Sequence, residues 1–145
     1  MWAARQKIGM EEFLVFRDLG RGAFGAVSGS TLAYTGQMFA LKCMNRKQVK
    51  GKKAFKLTVT EKNVLHMLGN SPTPFCIHLR YSFFDKENLY FALPLCSGGD
   101  LLFHLKQSGA MSPARAQFIA TEVAMGLNHM HGLGIIYRDL KPVSF

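Results

Sequence analysis

The sequence is short of acid. Its 145 residues hold nine aspartates and glutamates against 18 lysines and arginines, a formal net charge of +9. That balance favours anionic partners (nucleotides, phosphorylated proteins, nucleic acid or acidic membrane) and does not choose among them. Cysteine is scarce too. Cys43, Cys76 and Cys96 are odd in number and show no Cys-x-x-Cys spacing, which argues against a disulfide framework or a zinc site and fits a reducing, intracellular setting. Long apolar runs are missing: nothing approaches the roughly 18 residues that cross a bilayer. The longest candidate, around residues 89–96, is broken by Pro94. The N-terminus carries Trp2, Arg5 and Lys7 without the apolar stretch of a secretory signal, and residues 1–12 are expected to form a disordered leader. Repeats and low-complexity tracts are absent. What remains is a 48% hydrophobic chain, enough for one domain with a real core.

Strand formers dominate the first half. Residues 13–19 (FLVFRDL) and 38–44 (MFALKCM) are rich in them, with a shorter strand-like stretch at 26–32. A glycine-rich turn separates the first two stretches, and Tyr34-Thr35-Gly36 the last two, which predicts three short antiparallel strands. Residues 46–56 then gather Arg46, Lys47, Lys50, Lys52, Lys53 and Lys56. After them Leu57, Val64, Leu65 and Leu68 recur at helical spacing up to Gly69, and Ser71-Pro72-Thr73-Pro74 stops the helix. Two more strands are expected at 77–83 and 89–93, joined by the polar turn 85–88. The second half reads as helix. Ser97-Gly98-Gly99 is a flexible joint, and Asp100 can cap a short helix over 101–107. Ser112-Pro113 opens a longer helix that should run to about His131 and stop at Gly132. Its stripe of Ile119, Val123, Leu127 and Met130 implies a buried face.

Three segments carry chemistry. Gly20-Arg21-Gly22-Ala23-Phe24-Gly25-Ala26-Val27 is G-x-G-x-x-G-x-V. Glycines there let backbone N–H groups approach phosphate oxygens, because no Cβ intervenes. A dinucleotide site would need a helix straight after the glycines and an acid about 20 positions on. Here a strand follows, and Lys42 stands near that place. A plain glycine-rich hairpin remains open for the motif alone. Phe39-Ala40-Leu41-Lys42 sets a lysine in an apolar strand, where it needs a counter-charge. It could meet phosphate as a point charge, or simply face solvent. Glu61 on the following helix offers the counter-charge, although a solvated helix glutamate reads the same way. Last, Tyr137-Arg138-Asp139-Leu140-Lys141-Pro142 follows an apolar stretch at 133–136. Asp139 could accept a hydroxyl proton and Lys141 could neutralise a transferring phosphoryl group, or the segment could be a surface turn.

In this order and at these spacings the segments resemble the eukaryotic protein kinase domain, over almost the whole chain from Phe13 to Pro142. Tyrosine before Arg138-Asp139 looks like the AGC group of serine/threonine kinases. Leu89-Tyr90 through Gly98-Gly99-Asp100-Leu101, and Leu127-Asn128-His129-Met130-His131, look most like G-protein-coupled receptor kinases. The resemblance implies an α+β fold. Residues 13–93 would form a five-stranded antiparallel sheet with one major helix, 94–99 a hinge, and 100–145 the first helices of an incomplete helical second lobe. It also implies ATP as cofactor. Leu19, Gly20, Arg21, Gly22, Ala23, Phe24, Gly25, Ala26 and Val27 would cover the phosphates, with Val27 and Ala40 on the adenine and Leu93 as gatekeeper. The hinge would be 94–96, including Cys96. Lys42 would hold the phosphates and pair with Glu61, and Asp100 would reach the ribose. Asp139 would orient the substrate hydroxyl, with Lys141 near the γ-phosphate.

Two departures follow from the same comparison. The family's metal-binding asparagine, five residues after the catalytic aspartate, is here Ser144, a poorer Mg²⁺ ligand. The chain also ends at Phe145 without an Asp-Phe-Gly segment. The resemblance therefore implies Mg²⁺ for a full-length member but no metal residues in this chain. It makes the chain the ATP-binding part of a kinase that phosphorylates protein serine and threonine, an activated receptor among its partners. The alternative is a non-catalytic truncated module that binds nucleotide or a partner. A cytoplasmic setting is expected, with peripheral membrane attraction through the basic residues. Nucleic acid is not expected, since the basic cluster lacks the interleaved aromatics of a stacking surface.

Overall fold

Side-chain alternation decides the sheet. The strands β1 (Phe13–Gly22), β2 (Gly25–Leu32), β3 (Met38–Asn45), β4 (Tyr81–Phe84) and β5 (Asn88–Pro94) pair antiparallel in the order β1-β2-β3-β5-β4. In the computed structural model, which describes residues 8–22 and 25–144, every second residue of β3 joins one of two apolar layers. One face gathers Phe13, Leu32, Phe39, Leu41, Tyr90 and Ala92. Phe39, fully buried, meets Phe13 and Tyr81 edge-on at ring distances of 5.9 and 5.6 Å. Burying one such side chain stabilises the fold by roughly 1.5–3 kcal/mol. The other face gathers Met44, Val49 and Phe91 under Leu65, Leu79 and Leu89.

Two helices follow β3. The side chain of Asn45 accepts the Lys47 N–H at 2.9 Å and caps α1 (Arg46–Val49). α2 (Lys52–Asn70) lays Leu65 and the buried Thr58 and Leu68 inward. The Thr58 hydroxyl donates to the Ala54 carbonyl at 3.0 Å, as a β-branched alcohol inside a helix commonly does. The segment then departs from expectation. Residues 77–79 are not strand, because the Leu79 N–H is taken by the Leu65 carbonyl of α2 at 3.1 Å. Pairing to β5 begins only at the Arg80 N–H, which donates to the Ala92 carbonyl at 3.0 Å. The expected strand over 77–83 is thus the shorter β4.

The leader also divides. Residues 1–7 lie outside the described residues, whereas Met10–Glu12 make a 3-10 turn and Ile8 and Met10 pack on the Phe13 layer. Apolar side chains at 8 and 10 find the exposed edge of that layer, which a charge-based reading of the N-terminus overlooks.

Beyond the sheet, the Asp100 carboxylate accepts the Phe103 N–H at 2.7 Å and caps α3 (Leu101–Ser108). Ser112 caps α4 (Pro113–Gly132) through the Arg115 N–H at 3.4 Å. The stripe of Ile119, Val123, Leu127 and Met130 is half-buried rather than buried. The one buried residue of α4 is Gly126, whose backbone lies against Phe75 and Cys76.

Candidate functional site

Register brings the expected residues to one face. Gly29 pairs with Ala40 and Ala40 with Leu93, while Val27 pairs with Lys42 and Lys42 with Phe91. Directly opposed residues share a face, so Val27, Ala40, Lys42 and Leu93 line the side that α2 covers at its far end. There Lys42 Nζ and Glu61 Oε1 meet at 2.5 Å, with side chains 24% and 37% exposed. A half-buried ammonium in an apolar strand needs such a partner, and it still leaves donors to offer a second anion.

The glycines of the β1–β2 turn divide by role. A Cβ at Gly20 would meet nothing within 4 Å, and one at Gly22 only the Gly25 carbonyl at 4.0 Å. Open space over these two backbones suits a cradle for an anion. A Cβ on Gly25 would sit 1.8 Å from the Cys43 carbonyl oxygen, so β3 itself requires that glycine. Leu19 and Arg21 are exposed, Gly25, Ala26 and Val27 half-buried, and Ala23 and Phe24 lie outside the described residues.

Past β5 the chain is held by short links. His104 Nε2 stands 2.8 Å from the Gly98 carbonyl. A carbonyl only accepts, so this nitrogen carries the proton. Cys96 is exposed and Asp100 half-buried, with one carboxylate oxygen already used as the α3 cap. Further on, Arg138 adopts φ 65°, an uncommon left-handed conformation for a residue with a Cβ. Asp139 and Lys141 pair at 2.7 Å with side chains 73% and 50% exposed. The Asp139 carboxylate holds the Lys141 ammonium above its ordinary pKa. Among the described residues no hydrogen bond or ion pair joins this pair to Lys42–Glu61, and no cluster of three carboxylate, histidine or cysteine groups is placed to hold a metal ion.

A polar knot at the β4–β5 turn escaped the sequence reading. The Asp85 carboxylate accepts the N–H groups of Glu87 and Asn88 at 2.8 and 2.7 Å and the Tyr90 hydroxyl at 2.8 Å. Those bonds, the Asn88 N–H first, hold Asp85 below the usual carboxylate range. Burial, then the Asp85 bond, pushes Tyr90 up to about 12. Arg46 clasps the same turn through the carbonyls of Asp85 and Lys86 at 3.0 and 3.3 Å. The Asp85–Asn88 spacing was the available signal. Burial also raises the Cys43 and Cys76 thiols.

Open backbone at Gly20 and Gly22 of a glycine turn, together with a strand lysine paired to a helix glutamate, defines a class. The protein kinase domain model matches residues 13–144, and the chain belongs to the protein kinase family. Its relatives narrow the branch. It is 42% identical over 135 residues to beta-adrenergic receptor kinase 1 of Homo sapiens, covering 93% of the chain and 20% of the relative. It is 40% identical to G protein-coupled receptor kinase 2 of Caenorhabditis elegans, covering 93% of this chain and 19% of that one. To G protein-coupled receptor kinase 2 of Drosophila melanogaster it is 38% identical, covering 97% and 20%. The chain thus spans about a fifth of the length of these relatives and resembles the receptor-kinase branch of the AGC group.

Proposed function

We propose that this chain is the ATP-binding part of a serine/threonine protein kinase. In its full-length form that kinase transfers the ATP γ-phosphate to protein hydroxyls, activated receptors among its substrates. The observation that carries the reading is the Lys42–Glu61 pair at 2.5 Å, next to open backbone at Gly20 and Gly22. The adenine rests on Val27 and Ala40 with Leu93 behind it, and the hinge at 94–96 borders its edge. Gly20 and Gly22 let backbone N–H groups close on the phosphates while Glu61 keeps Lys42 aimed at them. Asp100 reaches the ribose with the carboxylate oxygen its cap leaves free. Asp139 receives the substrate hydroxyl and Lys141 offsets charge on the transferring group. Positioning and neutralisation supply most of the catalysis in this chemistry. Magnesium serves the family by neutralising the phosphates, but the described residues of this chain do not form a cage for it. The setting is cytoplasmic.

Ser144 favours a second reading. With a hydroxyl where the family carries a metal-binding amide, the chain serves as a nucleotide- or partner-binding module without turnover. Titration calorimetry tests the shared part of both readings. ATP binds weakly and largely without a magnesium requirement, and Lys42→Met, which keeps the aliphatic stem, abolishes the heat. Equal binding by Lys42→Met would remove Lys42 from the site. Radiolabelled ATP with a basic protein substrate tests turnover directly: this chain alone gives no transfer, and turnover lost in Asp139→Asn would overturn that statement.

A further inference from the structure

From Arg46 to Thr60 the chain contains six cations and no acid. All six, Arg46, Lys47, Lys50, Lys52, Lys53 and Lys56, are exposed. The ion pairs among the described residues are Lys42–Glu61 and Lys141–Asp139, so none of the six forms an ion pair with a carboxylate. Their surroundings are not those of an ordinary solvated helix. The inward side of α2 carries Thr58, Leu65 and Leu68. A turn of about 100° per residue sends Lys52, Lys56 and Val59 to the opposite side and Phe55 to the flank between the two. Phe55 is 59% exposed there. Arg46 extends the same character onto the β4–β5 turn. Its guanidinium stands 5.7 Å over the ring of Phe84, itself 71% exposed, and it binds the carbonyls of Asp85 and Lys86. The carboxylate of Asp85 is already taken by its own turn and by Tyr90, and Glu87 is the remaining acid beside it.

We propose that the outer surface of α1 and α2, with the Arg46–Phe84 corner, binds an anionic phospholipid bilayer, lysines on the headgroups and Phe55 and Phe84 seated at the interface. This deepens the peripheral attraction that the charge balance implies and is independent of the nucleotide site. Charge complementarity selects the sign of the partner, and the form of the surface selects its kind. The cations stand on a convex helical face. Of two cavities among the described residues, neither is lined by α1 or α2: a depression of about 500 Å³ lies on α4 around Ala120, Ala124 and Met125, and one of about 330 Å³ between Met10 and Phe84 borders the corner alone. A peptide needs a groove, whereas a membrane accepts a convex basic face with protruding aromatics.

Sedimentation with vesicles of phosphatidylcholine alone, and with about a third phosphatidylserine, measures the binding. The chain binds the mixed vesicles, not the neutral ones, and the binding weakens with salt. Changing Lys50, Lys52, Lys53 and Lys56 together to Gln lowers partitioning at least about 100-fold, since each cation near an anionic surface contributes substantially. The same charge removed at Arg17, Arg80, Lys106 and Arg115 has under about a tenth of that effect. Phe55→Trp in a Trp2→Phe background shifts its emission to the blue on mixed vesicles. Equal losses in the two charge variants would overturn the proposal, as would binding without the blue shift, which means a polyanion site and not a bilayer surface. ATP calorimetry on the lysine variant reports the nucleotide site separately.

Discussion

Gly25→Ala and Gly20→Ala make a matched pair. Both replace a glycine of one motif with the smallest side chain. At Gly25 the new Cβ would lie 1.8 Å from the Cys43 oxygen, 2.8 Å from the Cys43 carbonyl carbon and 3.0 Å from the Met44 Cα. Carbon and oxygen normally stop at about 3.3 Å, so β3 must retreat by roughly 1.5 Å beyond a strand spacing of about 4.8 Å. The obstacle is backbone, which cannot rotate aside as a side chain can. Overpacking of this kind costs about 1–3 kcal/mol, and each ladder hydrogen bond lost adds about 1 kcal/mol. We expect a total of about 2–4 kcal/mol, a large part of the roughly 5–15 kcal/mol of a domain. Gly20→Ala enters open space and should stay within about 0.5 kcal/mol. Urea unfolding followed by circular dichroism compares them: with a slope of about 2 kcal/mol per molar, the Gly25→Ala midpoint falls by about 1–2 M and the Gly20→Ala midpoint hardly moves. Nucleotide affinity should fall for both variants, for Gly20→Ala without any loss of stability. A Gly25→Ala protein as stable as Gly20→Ala would refute the division of the motif into a sheet glycine and open glycines.

Other expectations are simpler. Phe39→Ala empties a fully buried position between Phe13 and Tyr81 and should cost about 3–5 kcal/mol; a change under about 1 kcal/mol in the urea midpoint analysis would contradict the assigned core. Tyr90 is raised to about 12, above the ordinary tyrosine value near 10. Its contribution is therefore complete below pH 10 and lost as pH rises toward 12. Absorbance at high pH should show Tyr90 as the last tyrosine to ionise, a component missing in Tyr90→Phe; a wild-type titration without it would count against the Asp85–Tyr90 bond. Hydrogen exchange should be slow across the five strands and fast in α3 and α4, because α4 buries little beyond Gly126. Uniform protection through 113–132 in a monomer would show another source of cover for that helix.

Much of this was legible because it is local. Asp100 and Ser112 cap the helices they precede, since a short oxygen side chain at that place has few better partners than the N–H groups ahead of it. Lys42 and Glu61, 19 positions apart, could be paired in advance only through the kinase resemblance, since the residues alone also allow a solvent-facing lysine and a solvated helix glutamate. What escaped depends on tertiary context. The apolar residues Ile77 and Leu79 look like strand, but the backbone N–H of Leu79 goes to α2, and nothing in the local pattern gives that away. Ile8 and Met10 look like the end of a leader until the edge of the Phe13 layer is known. Gly25 looks like its motif partners, and only the approach of Cys43 separates it from them.

α4 sits closest to the rest of the chain at Gly126. Gly126 presents no side chain, the Phe75 carbonyl lies 3.1 Å from where a Cβ would be, and the Cys76 thiol bonds the Gly126 carbonyl at 3.6 Å. Any residue larger than glycine at 126 would have to lift the helix off the 75–76 segment, so the closeness with which the second half of the chain meets the first depends on one missing side chain.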